Sequence, residues 1–219
     1  MINRSGLLTG LLLLFCASSG AAQGTTLEWI PYGGVFVPTR ELGTATIGGT
    51  GYEIKQNAGA IFGARLIGWW SRVVGWEGNF GYVLSDVQLT SSGGTDACAQ
   101  GTNCSANVWF ASSKLMFRYA PGTYRGWYLF GGIGVAVSGH VGDFWERADG
   151  TTDLGGVVNV GGAIDISRRF AIRIDAEDYF YRFEPKLEND PEVGTFSPCS
   201  KVQNDLVFSV GLIIRLAGM

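Results

Sequence analysis

The chain has 219 residues, enough for one domain or at most two small ones, and 34 of them are glycine, roughly twice the usual share. Only 16% of the residues are charged, whereas 13% are aromatic, so the chain is neither collagen-like nor a flexible low-complexity segment. The formal net charge of -3 excludes a general basic nucleic-acid binder, and we expect no nucleic-acid partner.

The first 22 residues have the pattern of a secretory signal peptide. Arg4 supplies a positive start, an apolar stretch covers 7–15, and the small residues Gly20 and Ala22 suit a cleavage site. We therefore expect a cleaved signal peptide at 1–22 and a mature domain at 23–219. The apolar stretch is too short for the alternative, a membrane anchor, which needs about 20 residues.

The rest of the chain alternates between polar and apolar residues with a period of two. In 171–181, the odd positions include Arg173, Asp175 and Glu177, whereas the even positions begin with Ile172. Because alternate side chains of a strand point to opposite faces, one face is charged and the other apolar. This pattern predicts eight strands, at about 27–37, 59–70, 75–87, 109–119, 126–138, 155–166, 171–181 and 204–216.

The connections between these strands alternate in length. Three are short, near 71–74, 120–125 and 167–170, and the other four are long, near 38–58, 88–106, 139–154 and 182–203. Short turns at one end and long loops at the other are typical of a membrane barrel. The sequence therefore predicts an all-β fold, an eight-stranded antiparallel up-and-down transmembrane β-barrel with both termini at the short-turn end.

The polar faces of the predicted strands carry five acids and five bases. A soluble ligand-binding barrel, the alternative for eight strands, would expose these charges to water, whereas a membrane barrel would enclose them as an ion-pair network. An eight-stranded lumen is just wide enough to be filled by side chains. The predicted lumen network consists of Glu28, Arg65, Glu77, Lys114, Arg118, Asp165, Arg173, Asp175, Glu177 and Arg215.

Large aromatic residues are concentrated near the predicted short-turn end. Tryptophan and tyrosine anchor membrane proteins at the interface between lipid and water. This distribution favours the membrane barrel, with a belt formed by Trp29, Trp69, Trp70, Trp76, Tyr119 and Trp127.

Three stretches resemble a known family: 127–134 (WYLFGGIG), 170–183 (FAIRIDAEDYFYRF) and 205–216 (DLVFSVGLIIRL). They are similar to the small outer-membrane β-barrel proteins of Gram-negative bacteria, the OmpA/OmpX-like group, and more narrowly to the "outer membrane beta-barrel domain" proteins. The resemblance covers essentially the whole mature chain. The resemblance implies an outer-membrane location with both termini periplasmic, contact with outer-membrane lipid and lipopolysaccharide, and insertion by the barrel-assembly machinery. Leu216 departs from the family's frequent terminal aromatic residue.

The resemblance implies two classes of function. The first is a non-enzymatic barrel without a cofactor, whose loops serve adhesion, surface protection or envelope integrity, with limited small-solute passage as a variant and an unknown loop partner. The second is an enzyme that modifies lipid A, since some barrels of this kind use a serine, a histidine and a carboxylate. Ser138 and the single histidine, His140, share a strand face, and Glu146 follows them.

Three cysteines remain after signal cleavage. Cys98 and Cys104 share one long loop, and export implies an oxidising compartment, so we expect a disulfide between them. A metal site is not expected, because no histidine or second cysteine pair lies nearby. Cys199 is either free or exchanges partners with the other two.

Overall fold

The computed structural model describes residues 26–47, 49–91, 93–94, 96, 98, 104–121, 126–145, 148–149, 151–183, 186–187, 196–198 and 202–216. The expected signal peptide lies outside these residues. The described residues form a short 3-10 helix, Asp143–Trp145, and fourteen strands: β1 (Thr26–Pro38), β2 (Gly43–Ile47), β3 (Thr50–Gln56), β4 (Gly59–Trp69), β5 (Val74–Leu84), β6 (Val87–Ser91), β7 (Asn107–Tyr119), β8 (Trp127–Val141), β9 (Ala148–Asp149), β10 (Thr152–Asp165), β11 (Phe170–Arg182), β12 (Lys186–Leu187), β13 (Phe196–Pro198) and β14 (Val202–Leu216).

Eight of these strands close into an antiparallel barrel in the spatial order β1-β14-β11-β10-β8-β7-β5-β4. Closure comes from pairing of the first and last strands, in which Leu27 lies opposite Leu216. These strand ends lie on the side of the three short connections. The predicted eight-stranded barrel is confirmed, and the strand bounds differ from the predicted ones by at most three residues. Across the described residues, no helix has the length and apolarity needed to span a membrane.

The predicted strand at 75–87 is divided in the structure. β5 leaves the barrel after Leu84, and β6 begins at Val87 in a different sheet. Between them, the Ser85 hydroxyl donates a hydrogen bond to the Asn57 carbonyl at 2.7 Å, and the Ser85 carbonyl accepts one from the Ala106 amide at 3.0 Å. These bonds replace the lost barrel pairing and direct the chain over the barrel mouth.

The long-loop end carries a four-stranded sheet in the order β13-β2-β3-β6, which we call the loop sheet, and β9 pairs separately with β12. The sequence pattern predicts loops for these segments. Leu42, Ile54 and Leu89 of this region are buried in the same apolar cluster as Phe36 and Phe110 of the barrel. The loop sheet therefore packs on the mouth of the barrel.

The expected disulfide between Cys98 and Cys104 is present in the 88–106 connection. Cys104 is buried in the apolar cluster beneath the loop sheet, and Cys98 packs against it. The bond thus lies beside the barrel mouth. Cys199 lies outside the described residues.

The alternation along β11 separates an apolar exterior from a charged interior. Ile172 and Ile174 are 43% and 60% exposed on the outer surface, whereas Arg173 and Asp175 are 1% and 2% exposed. The outer face of β10 runs from Ile164 to Leu154, roughly 25 Å along the barrel axis at the usual rise and tilt. This height matches the lipid-facing band of a membrane barrel. A soluble barrel with charges outside is therefore the wrong alternative.

The predicted aromatic belt requires one correction. Trp29, Trp70, Tyr119 and Trp127 are exposed on or beside the outer surface near the short-turn end, and Trp76 is half-buried on the outer face of β5. The exception is Trp69, which is buried inside the barrel. Its indole N–H donates a hydrogen bond to the Glu28 carboxylate at 3.0 Å, so the interior offers this side chain a polar partner.

A charge on the outer surface should hinder insertion. Val210 is 55% exposed on the outer face near the middle of β14, so we expect Val210→Arg to lose about 2–4 kcal/mol of folding free energy in lipid vesicles. The control is Thr44→Arg, at an exposed position of the loop sheet, which should change stability by less than about 0.5 kcal/mol. Urea unfolding in vesicles measures both, and equal losses would contradict the assigned faces.

Candidate functional site

Six charged side chains meet at the middle of the barrel interior. They come from β4, β5, β7 and β11, and each is at most 2% exposed. Three are acids and three are bases, so their formal charges cancel. We call this group the middle ion cluster, and its members are Arg65, Glu77, Lys114, Arg173, Asp175 and Glu177.

Glu77 lies at the junction of the three bases. Its carboxylate is 2.6 Å from Lys114 Nζ, 2.8 Å from Arg173 Nη1 and 3.7 Å from Arg65 Nε. Three opposite charges at these distances offset the cost of burying the carboxylate away from water. Glu77 therefore holds bases from β4, β7 and β11 around one point.

The two acids of β11 complete the middle ion cluster. Glu177 accepts a hydrogen bond from Arg65 Nη2 at 2.8 Å and forms a second ion pair with Lys114. Asp175 accepts hydrogen bonds from Arg173 at 2.6 and 2.7 Å and lies 3.6 Å from Arg65 Nη1. Every charged group in the cluster thus contacts at least two groups of opposite sign.

Neutral side chains hold the two guanidinium groups in place. Arg65 lies over the Tyr32 ring, with 3.8 Å from Cζ to the ring centroid, and donates a hydrogen bond to the Ser209 hydroxyl at 2.9 Å. Arg173 lies 4.1 Å from the Phe130 centroid. Such stacking adds cation–π attraction to the ion pairs. These aromatic partners of the two arginines were not predicted from the sequence.

The other four predicted lumen charges lie nearer the short-turn end. Arg215 forms ion pairs with Asp165 and, at 3.4 Å, with Glu28. Arg118 differs from the prediction, because within the described part of the chain it contacts no carboxylate. Its guanidinium lies 4.3 Å from the Trp69 ring and donates a hydrogen bond to the Arg72 carbonyl at 3.1 Å. The partners of the Arg118 guanidinium are thus the Trp69 ring and the Arg72 carbonyl, where an acid was expected.

Apolar layers lie on both sides of the middle ion cluster. The layer towards the short turns includes Ile30, Ile67, Met116 and Ile213, all fully buried. The layer towards the loop sheet includes buried Phe36, Ile61, Val83, Phe110, Val157 and Val207. The interior is therefore filled with side chains along its length.

Ser138 and His140 lie inside the barrel near its mouth, both at most 2% exposed. Among the described residues, neither Ser138 Oγ nor His140 Nδ1 has a hydrogen-bond partner, so the two side chains do not form a nucleophile–base pair. His140 Nε2 is instead 3.4 Å from the Tyr181 hydroxyl, which donates to Asp205 at 2.6 Å. The side chain of Glu146 lies outside the described residues.

Aromatic rings cover His140 on the side of the barrel mouth. The centroids of Phe183, Trp145 and Tyr181 are 4.4, 5.5 and 6.0 Å from that of the imidazole. A hydrolytic site needs access for substrate and a base within hydrogen-bond reach of the nucleophile. In the part of the chain that the structure describes, Ser138 and His140 have neither. The described residues also contain no group of three or more His, Cys, Asp or Glu side chains that could hold a metal ion.

Comparisons with known proteins identify the fold. No family model matches the sequence, and no curated protein matches it. Among solved structures, the outer-membrane protein OprG from Pseudomonas aeruginosa has a TM-score of 0.55 at 12% identity, covering 86% of this chain and 95% of that chain. Outer membrane protein AlkL has a TM-score of 0.57 at 15% identity, covering 92% of this chain and 95% of that chain. Neisserial surface protein A has a TM-score of 0.53 at 8% identity, covering 89% of this chain and 100% of that chain. The chain has the fold of these outer-membrane barrels.

Removing one base from the middle ion cluster should leave buried acids without neutralisation. We expect Arg173→Ala to destabilise the barrel by about 3–5 kcal/mol, because Glu77 and Asp175 both lose a partner. The control is Arg168→Ala, at an exposed position of the β10–β11 turn, where little should change. Urea unfolding of both variants in detergent micelles measures the difference, and coincident midpoints would contradict a shared network.

Proposed function

We propose that this protein is a non-enzymatic integral barrel of the outer membrane, with a closed lumen and a surface-exposed loop sheet. The observation that carries the proposal is the filled interior, in which a charge-balanced ion cluster lies between two apolar layers inside an apolar exterior. Such a barrel serves adhesion, surface protection or envelope integrity through its loops. Free diffusion of solutes is not part of this role.

The loop sheet supports a role in surface contact. Its layer over the barrel mouth is apolar, whereas one row of residues across its other face, Thr44, Glu53 and Thr90, is polar. Beside this row, a hydrogen bond that protonated Glu53 donates to the Glu41 carboxylate, together with the negative charge of Glu41, raises the pKa of Glu53. A sheet anchored on a packed core offers a partner a more rigid surface than loops alone.

The charge distribution supports an orientation with both termini in the periplasm. The three short connections carry Arg72, Arg125, Arg168 and Arg169 and no acid. The long connections 139–154 and 182–203 carry eight acids and four bases. A chain that arrives through the periplasm leaves its short turns there and sends its long loops outside. Insertion would require the barrel-assembly machinery, and lipid and lipopolysaccharide would surround the barrel.

A conductance measurement tests the closed lumen. We expect the purified barrel to give no steady conductance in a planar bilayer, because side chains fill the path from one end to the other. Folding is verified on the same preparation by the change in gel mobility on boiling, and a known porin serves as the positive control. Large steady conductance from the folded protein would contradict the proposal.

Protease added to intact cells tests the orientation. We expect cleavage within 139–154 and 182–203, since long polar loops are the preferred cleavage sites. Permeabilised cells provide the control in which the short turns also become accessible. Cleavage of intact cells confined to the short turns would invert the proposed topology.

A further inference from the structure

The outer surface of the barrel contains an apolar groove of about 650 Å³. It crosses β8, β10, β11, β14 and β1, within the band assigned to lipid. Its volume is in the range of small-molecule sites, about 300–1,000 Å³. The side chains that form its walls include Leu129, Val160, Ile164, Ile174, Phe208 and Val210.

The groove exists because small residues interrupt a surface of large ones. At Gly162, an added Cβ would meet nothing closer than a Leu129 methyl group at 3.4 Å, so the backbone there is uncovered. By contrast, the Phe180 ring covers Gly156 on the same face of β10, with its nearest atom 2.3 Å from an added Cβ. Ala176 of β11 also lines the groove. The depression therefore remains open to the surrounding membrane.

Positive charge lies at one end of this groove. Its short-turn end is formed by Ile164 and Trp127, which pair across β10 and β8. The β10–β11 turn, which begins one residue after Asp165 at this end, carries exposed Arg168 and Arg169. The nearby acid Asp165 is already paired with Arg215. An apolar groove whose short-turn end contains an interfacial tryptophan and lies next to a turn with two exposed arginines is complementary to a lipid with an anionic headgroup.

We propose that this groove binds one acyl chain of an anionic glycerophospholipid, whose phosphate contacts Arg168 and Arg169. A phosphodiester accepts hydrogen bonds from guanidinium groups, and the acyl chain replaces the missing side-chain surface at Gly162. A second copy of the protein is a poorer occupant. A two-fold contact through the groove would bring the two basic turns together, and like charges in proximity oppose association.

Native mass spectrometry of the detergent-purified barrel tests the apolar part of the site. The protein is incubated with phosphatidylglycerol or phosphatidylcholine of identical acyl chains, and bound lipid is counted. We expect Gly162→Leu to reduce retained phosphatidylglycerol about tenfold by filling the groove. The matched control is Gly68→Leu on the outer face of β4, where an added Cβ meets nothing within 4 Å. The boiling-dependent gel shift verifies that both variants are folded.

The headgroup is tested separately with the basic turn. We expect the double variant Arg168→Ala/Arg169→Ala to retain phosphatidylglycerol only as well as phosphatidylcholine, whereas Arg72→Ala in the β4–β5 turn retains wild-type preference. Equal loss from Gly162→Leu and Gly68→Leu would overturn the groove as the site. Equal retention of both lipids by the wild type would overturn the assigned headgroup. A lipid-free dimer that Gly162→Leu abolishes would assign the groove to a second copy instead.

Discussion

Mutual neutralisation of buried charges is the interaction on which this barrel depends. An eight-stranded barrel leaves no room for bulk water at the level of the middle ion cluster, and hydrocarbon surrounds it outside. Glu77 of β5 and Glu177 of β11 lie on opposite sides of the barrel, and Lys114 contacts both. Glu177 is stabilised by Lys114 of β7, and Glu77 by Arg173 of β11, so each carboxylate also contacts a base from a strand that is not its neighbour. The ion pairs connect the barrel wall across its diameter.

The same interaction specifies the register of the strands. Arg173, Asp175 and Glu177 occupy successive inward positions of β11, so a slip of one residue would turn all three towards lipid. Lipid-facing charges cost up to about 2–4 kcal/mol each near the midplane, whereas buried ion pairs add little net stability compared with a well-packed apolar core. The main effect of the middle ion cluster is thus to fix the register of β11 against its paired strands. Its contribution to the total folding free energy is smaller.

Alternation predicted the eight strands, because a strand has a strict period of two, whereas the balanced charges and the aromatic residues near the short turns indicated which face points into the barrel. It could not predict which groups meet across the lumen. Trp69 and Arg118 both point inward, as the alternation requires, and they contact each other there. Trp69 is therefore not part of the aromatic belt, and Arg118 stacks on a ring where an acid was expected. One signal was available in the glycines. Gly63 and Gly81 lie level with Tyr32 on the next two strands, and a Cβ added at either glycine would lie within 2.5 Å of the Tyr32 hydroxyl. An inward tyrosine therefore needs glycines beside it.

A double-mutant cycle on Lys114 and Glu177 tests the central claim most directly. Urea unfolding in micelles gives the stabilities of Lys114→Met, Glu177→Gln and the double variant. If the two charges neutralise each other inside the barrel, the two single losses of stability add up to about 1–3 kcal/mol more than the loss of the double variant. The control is the same cycle on Lys114 and Glu28, which lies nearer the short-turn end and pairs with Arg215, and there we expect no such coupling. Losses for Lys114 and Glu177 that add to within about 0.5 kcal/mol would contradict the claim.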